Sequence, residues 1–132
     1  MSSLDIIVAV PAGAGWVPVH AMAKLLARYT GGTVHTVDVG ASLSKQTTLL
    51  ARLPRLKGGS HRCLVIASDP GQLYAVAQPS FAFRRYCAVY GWVIDSFWDD
   101  RIPAIAKSSV YDRIFVADAE DVQPWTASGV RT

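Results

Sequence analysis

The chain has 132 residues, of which 51% are apolar and 17% are charged, and its formal net charge is +3. This length fits one domain over residues 1–132, and the composition excludes an intrinsically disordered chain. The cations are scattered apart from the pair Arg84-Arg85, which argues against a dedicated nucleic-acid binder. Charged or turn residues interrupt every apolar run before it reaches the length of a membrane span, so we expect a soluble protein.

The chain contains two cysteines, Cys63 and Cys87, and both fall in stretches that predict strands. We interpret them as buried free thiols, which indicates a reducing compartment. The expected location is the cytoplasm, either free or at the inner face of the membrane.

The N-terminal stretch combines a strand, a glycine loop and the start of a helix. The apolar run 4–10 predicts a buried strand, residues 11–16 include Gly13 and Gly15, and a helical pattern begins at Val19. Backbone N–H groups at such a turn point outward from a helix N-terminus and suit a phosphate. A packing turn that binds no ligand would need the same glycines, so the sequence allows both a phosphate-binding loop and a simple packing turn.

The rest of the chain alternates between helical and strand patterns. Thr30-Gly31-Gly32 ends the first helix, and glycine there permits a left-handed cap. In chain order, the patterns then predict a strand over 33–39, a helix over about 44–53, a strand over 63–67, a helix from 70 to near 79, a strand over 86–94, a helix over about 103–109, a strand over 113–117 and a last helix from 118 or 119 through 125. This alternation predicts an α/β fold, a three-layer Rossmann-like sandwich around a parallel sheet of about five strands, with strand 4–10 central.

Ligands of such sheets bind beyond the carboxyl ends of the strands. Asp95 ends an apolar strand and is followed by Ser96 and Trp98, so a carboxylate, a hydroxyl and an aromatic face lie close together in sequence. This mixture suits a sugar, although Ser96 would equally well cap the next helix while Trp98 packs on the sheet. Asp69 and Asp118 follow two other strands, where a helix cap is the first interpretation and a ligand contact is the second.

The histidines offer no further site at the level of sequence. His35 and His61 have no acidic or cysteine partner at the spacing of metal ligands, so no metal site is predicted. His20 lies one turn into the first helix and is interpreted as a surface residue. No Gly-x-Ser-x-Gly nucleophile elbow is present.

Several segments resemble the two-domain (GT-B type) nucleotide-sugar glycosyltransferases. The segments PAGAGWVP (11–18) and AMAKLL (21–26) are similar to the strand, glycine loop and helix with which those enzymes open. The segments YGWVIDSFW (90–98) and DRIFVA (112–117) look like successive strands of the acceptor half. In inverting members a histidine of the first loop is the catalytic base; Trp16 stands at that position here, which leaves Asp95 or His20 for the role.

The resemblance implies an acceptor-binding N-terminal domain that is incomplete without a C-terminal donor-binding domain or subunit. Such an enzyme transfers sugar from a nucleotide-sugar co-substrate to a carbohydrate or glycolipid acceptor, without a tightly bound cofactor. Asp95 would be the catalytic residue; Gly13, Ala14, Gly15 and Trp16 would bind the donor; and Asp69, Ser96, Trp98, Asp118 and Glu120 would bind substrate. Self-association is expected through an apolar surface around Trp98, Trp125 and residues 81–86. The alternative is a stand-alone nucleotide-binding, phosphate-binding or regulatory module of the same fold.

Overall fold

The computed structural model describes residues 4–10, 17–38, 61–77, 87–94, 101–108 and 110–132. Its strands are β1 (Leu4–Val10), β2 (Thr33–Asp38), β3 (Arg62–Ala67), β4 (Ala88–Val93) and β5 (Arg113–Val116). Its α-helices are α1 (Val17–Thr30), α2 (Pro70–Ala77), α3 (Arg101–Ser108) and α4 (Val122–Ala127), and a 3-10 helix (Ala119–Asp121) precedes α4. The helix predicted over 44–53 lies outside the described residues.

The strands form one five-stranded sheet in the order β2-β1-β3-β4-β5, and every neighbouring pair is parallel. This confirms the predicted α/β fold with a parallel sheet. β1 is an interior strand, but β3 and not β1 occupies the middle of the sheet. An order of 2-1-3-4-5 is that of flavodoxin-like doubly wound sheets, in which the ligand crevice opens at the carboxyl ends of β1 and β3.

The two faces of the sheet carry separate hydrophobic cores, because successive side chains of a strand point to opposite sides. On the face that we call the α1 face, Ile6, Val8 and Ile66 pack against Val19 and Ala23 of α1. The opposite face, the α2 face, packs against α2, α3 and α4 through these buried residues: Ile7, Val65, Leu73, Ile102, Ile105, Ile114 and Trp125. Right-handed crossovers explain why the helices divide between the two faces. The connection from β1 to β2 runs in one direction across the sheet, and the connections from β3 to β4 and from β4 to β5 run in the other direction.

Glycines end two of the helices at positive φ. Gly31 follows α1 with φ 71°, as the sequence predicts, and Gly129 follows α4 with φ 92°. After α4, Gly129 N–H bonds the Thr126 carbonyl at 3.0 Å and Val130 N–H bonds the Trp125 carbonyl at 3.1 Å. This pair of bonds is the Schellman motif, which satisfies the last carbonyls of the helix.

Two expectations about exposure are wrong. Trp125 is fully buried in the core of the α2 face, so it offers no surface for self-association. Cys87 is exposed because it precedes β4 instead of lying within it, whereas Cys63 is buried as predicted. Trp98 and residues 81–86, the other parts of the expected apolar surface, lie outside the described residues. Within the described ranges, no helix combines the length and the hydropathy needed to cross a bilayer.

Candidate functional site

The turn from β3 into α2 lies at the carboxyl edge of the sheet, where the sequence predicts ligand contacts. The Asp69 carboxylate accepts a hydrogen bond from Gln72 N–H at 3.1 Å, and the Asp69 carbonyl lies 3.2 Å from the same nitrogen. Pro70 occupies the first position of the helix, where its missing N–H costs nothing. Asp69 therefore has the capping role that was the first interpretation of the sequence.

Gln72 fixes the same turn from inside. Its side chain is only 8% exposed, and its Oε1 accepts hydrogen bonds from Ser68 N–H at 2.9 Å and from Ser68 Oγ at 2.8 Å. Side-chain hydrogen bonds thus connect both ends of the turn, residues 68 and 69 on one side and residue 72 on the other, and they restrain its conformation. Gln72 is not among the predicted site residues, although a glutamine three residues after a capping residue is a known signal of a helix start.

A guanidinium lies against the first turn of α2. A β-carbon added at Gly71 would lie 2.4 Å from Arg101 Nη1, so the arginine at the start of α3 packs where a side chain would otherwise stand. Only glycine permits this close approach without displacing the arginine. A positive charge is therefore held beside a helix N-terminus, which carries its own partial positive charge.

The exit of β5 presents carboxylates to solvent. Asp118 and Glu120 are both exposed. Asp121 N–H bonds the Asp118 backbone carbonyl at 3.0 Å, but the Asp118 side chain makes no capping hydrogen bond. The interpretation of Asp118 as a side-chain cap is therefore wrong, because the backbone closes this turn. Its carboxylate makes no bond to the helix that it precedes.

The remaining predicted site residues lie outside the described residues: Gly13, Ala14, Gly15, Trp16, Asp95, Ser96 and Trp98. Ile94, the residue before Asp95 in the sequence, is among the described residues. Ile94 N–H bonds the carbonyl of Ala67 at 3.0 Å, so the chain leaves β4 directly beside the end of β3. The structure thus brings the residue before Asp95 next to the β3–α2 turn.

A buried polar cluster occupies the opposite, amino edge of the sheet. Asp5 Oδ1 lies 3.1 Å from His35 Nε2, and Asp5 Oδ2 lies 2.5 Å from His61 Nε2. The side chains of Asp5 and His61 are 2% and 4% exposed, and that of His35 is 22% exposed. An ionised carboxylate only accepts hydrogen bonds, so each histidine donates from Nε2.

Neither histidine has an acidic partner at metal-ligand spacing in the sequence, but in the structure both bond Asp5 and form a His35–Asp5–His61 cluster. Parallel pairing of β1 with β2 and β3 brings the three side chains together from positions 30 and 56 residues apart, which no local spacing reveals. The signal in the sequence is Asp5 itself, because a carboxylate inside the apolar run of β1 must find a partner when it is buried. Each oxygen serves a different ring, and no group of His, Cys, Asp or Glu side chains in the described ranges is arranged to hold a metal ion.

The two thiols differ in environment. Cys63 pairs with Asp5 in the sheet register, and burial, with the Asp5 charge adding to it, raises the pKa of the Cys63 thiol well above its ordinary value of 9.0. Cys87 is exposed and its Sγ donates to the His61 carbonyl at 2.9 Å. Cys87 is therefore the accessible thiol of the pair.

Comparison with known proteins identifies no relative. No protein-family model matches this chain, and no curated protein and no solved structure matches it. The fold and the chemistry of the two sheet edges are therefore the basis for any functional proposal.

Proposed function

We propose that this chain is the acceptor-binding domain of a two-domain nucleotide-sugar glycosyltransferase. The observation that carries the proposal is the arrangement at the carboxyl edge. The hydrogen-bonded β3–α2 turn lies beside the exits of β1 and β4, and the exposed carboxylates of Asp118 and Glu120 follow β5 at the same edge of the sheet. Resemblance of the segments 11–18 and 90–98 to the glycosyltransferases supports the same assignment.

The carboxylates suit a polyhydroxylated acceptor. Asp118 and Glu120 are exposed acceptors for sugar hydroxyls, and the second oxygen of Asp69 is not the one that caps α2. Asp69 is held by the turn, so a hydroxyl bonded to it would be fixed in direction, which aids a reaction between two bound substrates. These three acids form the acceptor side of the proposed site.

The proposed reaction is direct sugar transfer. An acceptor hydroxyl oxygen forms a bond to the anomeric carbon of the donor, the bond from that carbon to the diphosphate oxygen breaks, and the nucleoside diphosphate leaves. Asp95, which follows Ile94 at the end of β4, is the proposed base that receives the hydroxyl proton. The glycine loop of residues 13–16 is the proposed contact for the leaving diphosphate.

In this proposal a second α/β domain or subunit binds the base and ribose of the donor. The isolated chain then binds acceptor and diphosphate weakly and does not turn over. The free thiols Cys63 and Cys87 support a reducing, cytoplasmic location, with the inner membrane face as the place where a glycolipid acceptor would be met.

A stand-alone phosphate-binding module is the second candidate. The observation that favours it is Arg101, whose guanidinium lies against Gly71 at the start of α2. A cation beside a helix N-terminus attracts an anion without any need for a carbohydrate. The two candidates differ in which ligand binds and where.

Amide chemical-shift titration of the isotope-labelled full chain separates them. Under the glycosyltransferase proposal, methyl D-glycosides shift the amides of Ser68, Asp69, Gly71, Gln72 and residues 118–120. A nucleoside diphosphate shifts the amides of residues 13–17, and the mirror-image L-glycosides shift neither set. Phosphate or diphosphate shifts confined to Gly71, Gln72 and Arg101, with no response to glycosides, would support the second candidate. No response to any of these ligands at millimolar concentration would refute both.

A further inference from the structure

Part of the α1 face of the sheet lacks a helix in the described structure. α1 packs over β1 and β3, while α2, α3 and α4 pack on the α2 face. Beyond α1, none of the described helices packs on the α1 face of β4 and β5, where Phe115 is exposed. Purely parallel sheets occur almost only with both faces covered, so an open half-face is a place where another element is expected.

The open half-face carries aromatic residues in register. Trp92 of β4 lies beside Phe115 of β5, and Tyr90 lies beside Arg113. Phe115 is 43% exposed, Tyr90 and Trp92 are half-buried, and the Tyr90 and Phe115 rings meet at a centroid distance of 6.0 Å with an interplanar angle of 56°. We call the surface formed by Tyr90, Trp92, Arg113 and Phe115 the aromatic face.

The aromatic face continues the core beneath α1. Trp92 packs against the same cluster as Leu64 and Ile94, and that cluster is the one that α1 covers. A second helix placed beside α1, at the usual 8–10 Å between helix axes, would therefore extend an existing layer. The aliphatic neighbours of Trp92 make its ring part of a continuous apolar surface. Such a surface favours binding of a protein helix, whereas a nucleic-acid base would stack on an isolated aromatic ring.

The charges at this surface have one sign. Arg113 and Arg62 are exposed and lie on the α1 face, because they alternate with the α2-face residues Ile114 and Cys63. The α1-face positions described for β3, β4 and β5 include no acidic residue: Arg62, Leu64, Ile66, Ala88, Tyr90, Trp92, Arg113 and Phe115. Lys24 and Arg28 of α1 are exposed as well. A second copy docked through this face would bring basic groups together, which argues against self-association here.

We infer that the aromatic face binds an amphipathic helix of a partner domain or subunit, with its apolar stripe on Trp92 and Phe115 and with Asp or Glu residues beside the stripe facing Arg113 and Arg62. This mode is a helix-in-groove interaction with charge complementarity at the rim. The surface lies on a sheet face and not at the carboxyl edge. The inference therefore does not rest on the glycosyltransferase proposal.

Two synthetic helical peptides of about 18 residues test it. Both carry the same leucine stripe, flanked by Glu in one and by Lys in the other. Titrated into the isotope-labelled full chain, the Glu-flanked peptide should shift the amides of residues 90–92 and 113–115. It should bind about tenfold more tightly than the Lys-flanked peptide, since two rim ion pairs replace two repulsions.

Substitutions on the two faces of the sheet show where the Glu-flanked peptide binds. Phe115→Ser should weaken binding of the Glu-flanked peptide at least severalfold, whereas Val122→Ser should leave it unchanged, because Val122 is 36% exposed on α4 and α4 packs on the other face. Arg113→Glu should abolish the preference between the two peptides, because Arg62 still favours Glu, and the double variant Arg62→Glu/Arg113→Glu should reverse it. Thermal unfolding of each variant checks that it is folded. If a variant is unfolded, Phe115→Ala replaces Phe115→Ser with weaker binding expected, and Arg113→Gln replaces the charge reversal with a smaller preference expected.

Three results would overturn the inference. One is equal binding of both peptides, and another is a set of shifts that map to α4 instead of β4 and β5. The third is tighter binding of a single-stranded oligothymidylate than of the Glu-flanked peptide to the aromatic face, which would assign the surface to nucleic acid.

Discussion

Asp5 Oδ2 and His61 Nε2 lie 2.5 Å apart at the amino edge of the sheet, and both side chains are almost completely buried. The bond joins the start of β1 to the residue before β3. His35 on β2 bonds the other oxygen of the same carboxylate at 3.1 Å. One buried carboxylate therefore links three neighbouring strands. A hydrogen bond to a charged group in this environment contributes more to stability than an exposed ion pair does.

Asp5→Asn should destabilise the fold by about 1–3 kcal/mol. The asparagine amide presents an NH2 group where one carboxylate oxygen stood, so a donor faces the donor Nε2–H of one histidine. That ring must lose its bond or change tautomer. Urea unfolding measures the loss, and Asp118→Asn, which changes an exposed carboxylate, is the matched control with an expected change within about 0.5 kcal/mol. Equal stability of the two variants would show that the cluster adds nothing to the fold.

Gly91 of β4 is a packing glycine of the α2 face. An added β-carbon would lie 2.7 Å from Ile114 Cδ1 and 3.2 Å from Tyr111 Cδ1. Gly91→Ala should therefore cost about 1–3 kcal/mol by overpacking. Ile114→Val removes the closer methyl group, so the double variant should be less destabilised than the sum of the two single variants. Strict additivity in urea unfolding would mean that the added methyl group is accommodated elsewhere.

Periodicity and capping residues predict most of this fold. The continuous apolar run of residues 63–67 predicts a strand buried on both faces, and β3 is the middle strand. Strands 4–10 and 113–117 are found at or within one residue of their predicted ends, since glycine, proline or polar residues border them. Exposure is predicted less well. Trp125 lies in a short helix, α4, whose docking depends on residues far away in sequence, so its burial could not be predicted from its neighbours.

The candidate site is only partly predictable for the same reason. Asp69 and Asp118 both precede a helix in sequence, yet only Asp69 bonds the helix with its side chain. The His35–Asp5–His61 cluster depends entirely on strand order, and strand order follows from crossovers that sequence spacing does not record. Local patterns specify which groups are present at each strand end; tertiary structure decides which of them meet.

The two thiols should react at very different rates. In the native chain, a disulfide reagent such as dithionitrobenzoate should label Cys87 quickly, because Cys87 is exposed, and should label Cys63 only after unfolding. Cys87→Ser should abolish the fast phase and leave the slow phase unchanged. A fast phase that persists in Cys87→Ser would show that β3 opens readily at Cys63.

Stability should fall at alkaline pH because two buried groups resist ionisation. Burial raises the pKa of Cys63 and of Tyr111 above their ordinary values of 9.0 and 10.0; the Asp5 charge adds to the first shift and Cys63 to the second. Both groups ionise at lower pH in the unfolded chain. The contribution of these two groups to the free energy of unfolding is therefore complete below about pH 9. It is lost as the pH rises through their pKa values in the folded chain, by about 1 kcal/mol per pH unit for each group.

Tyr111→Phe should reduce the slope of unfolding free energy against pH above pH 10. Its absolute stability should also fall, because the Tyr111 hydroxyl donates to the Leu73 carbonyl at 2.7 Å, so the slope is the quantity to compare. Tyr29→Phe changes an exposed ring and should keep the slope of the unmodified chain. An unchanged slope in Tyr111→Phe would show that the buried phenol ionises as readily as the unfolded one.

Asp69 allows the capping and binding roles to be separated. Asp69→Ala removes the acceptor for Gln72 N–H and should cost about 1 kcal/mol in urea unfolding. Asp69→Asn keeps a capping oxygen in place and should cost only a few tenths of a kcal/mol, since asparagine is as good a capping residue as aspartate. Under the proposed function, however, both variants should weaken methyl D-glycoside binding severalfold, because a sugar hydroxyl that donates to a carboxylate loses a charged acceptor in either case.

Asp118→Asn should weaken the same binding without any change in stability, because its side chain makes no cap bond. If Asp69→Asn and Asp118→Asn both bind glycosides as tightly as the unmodified chain does, neither carboxylate contacts the sugar. That result would contradict the proposed acceptor site.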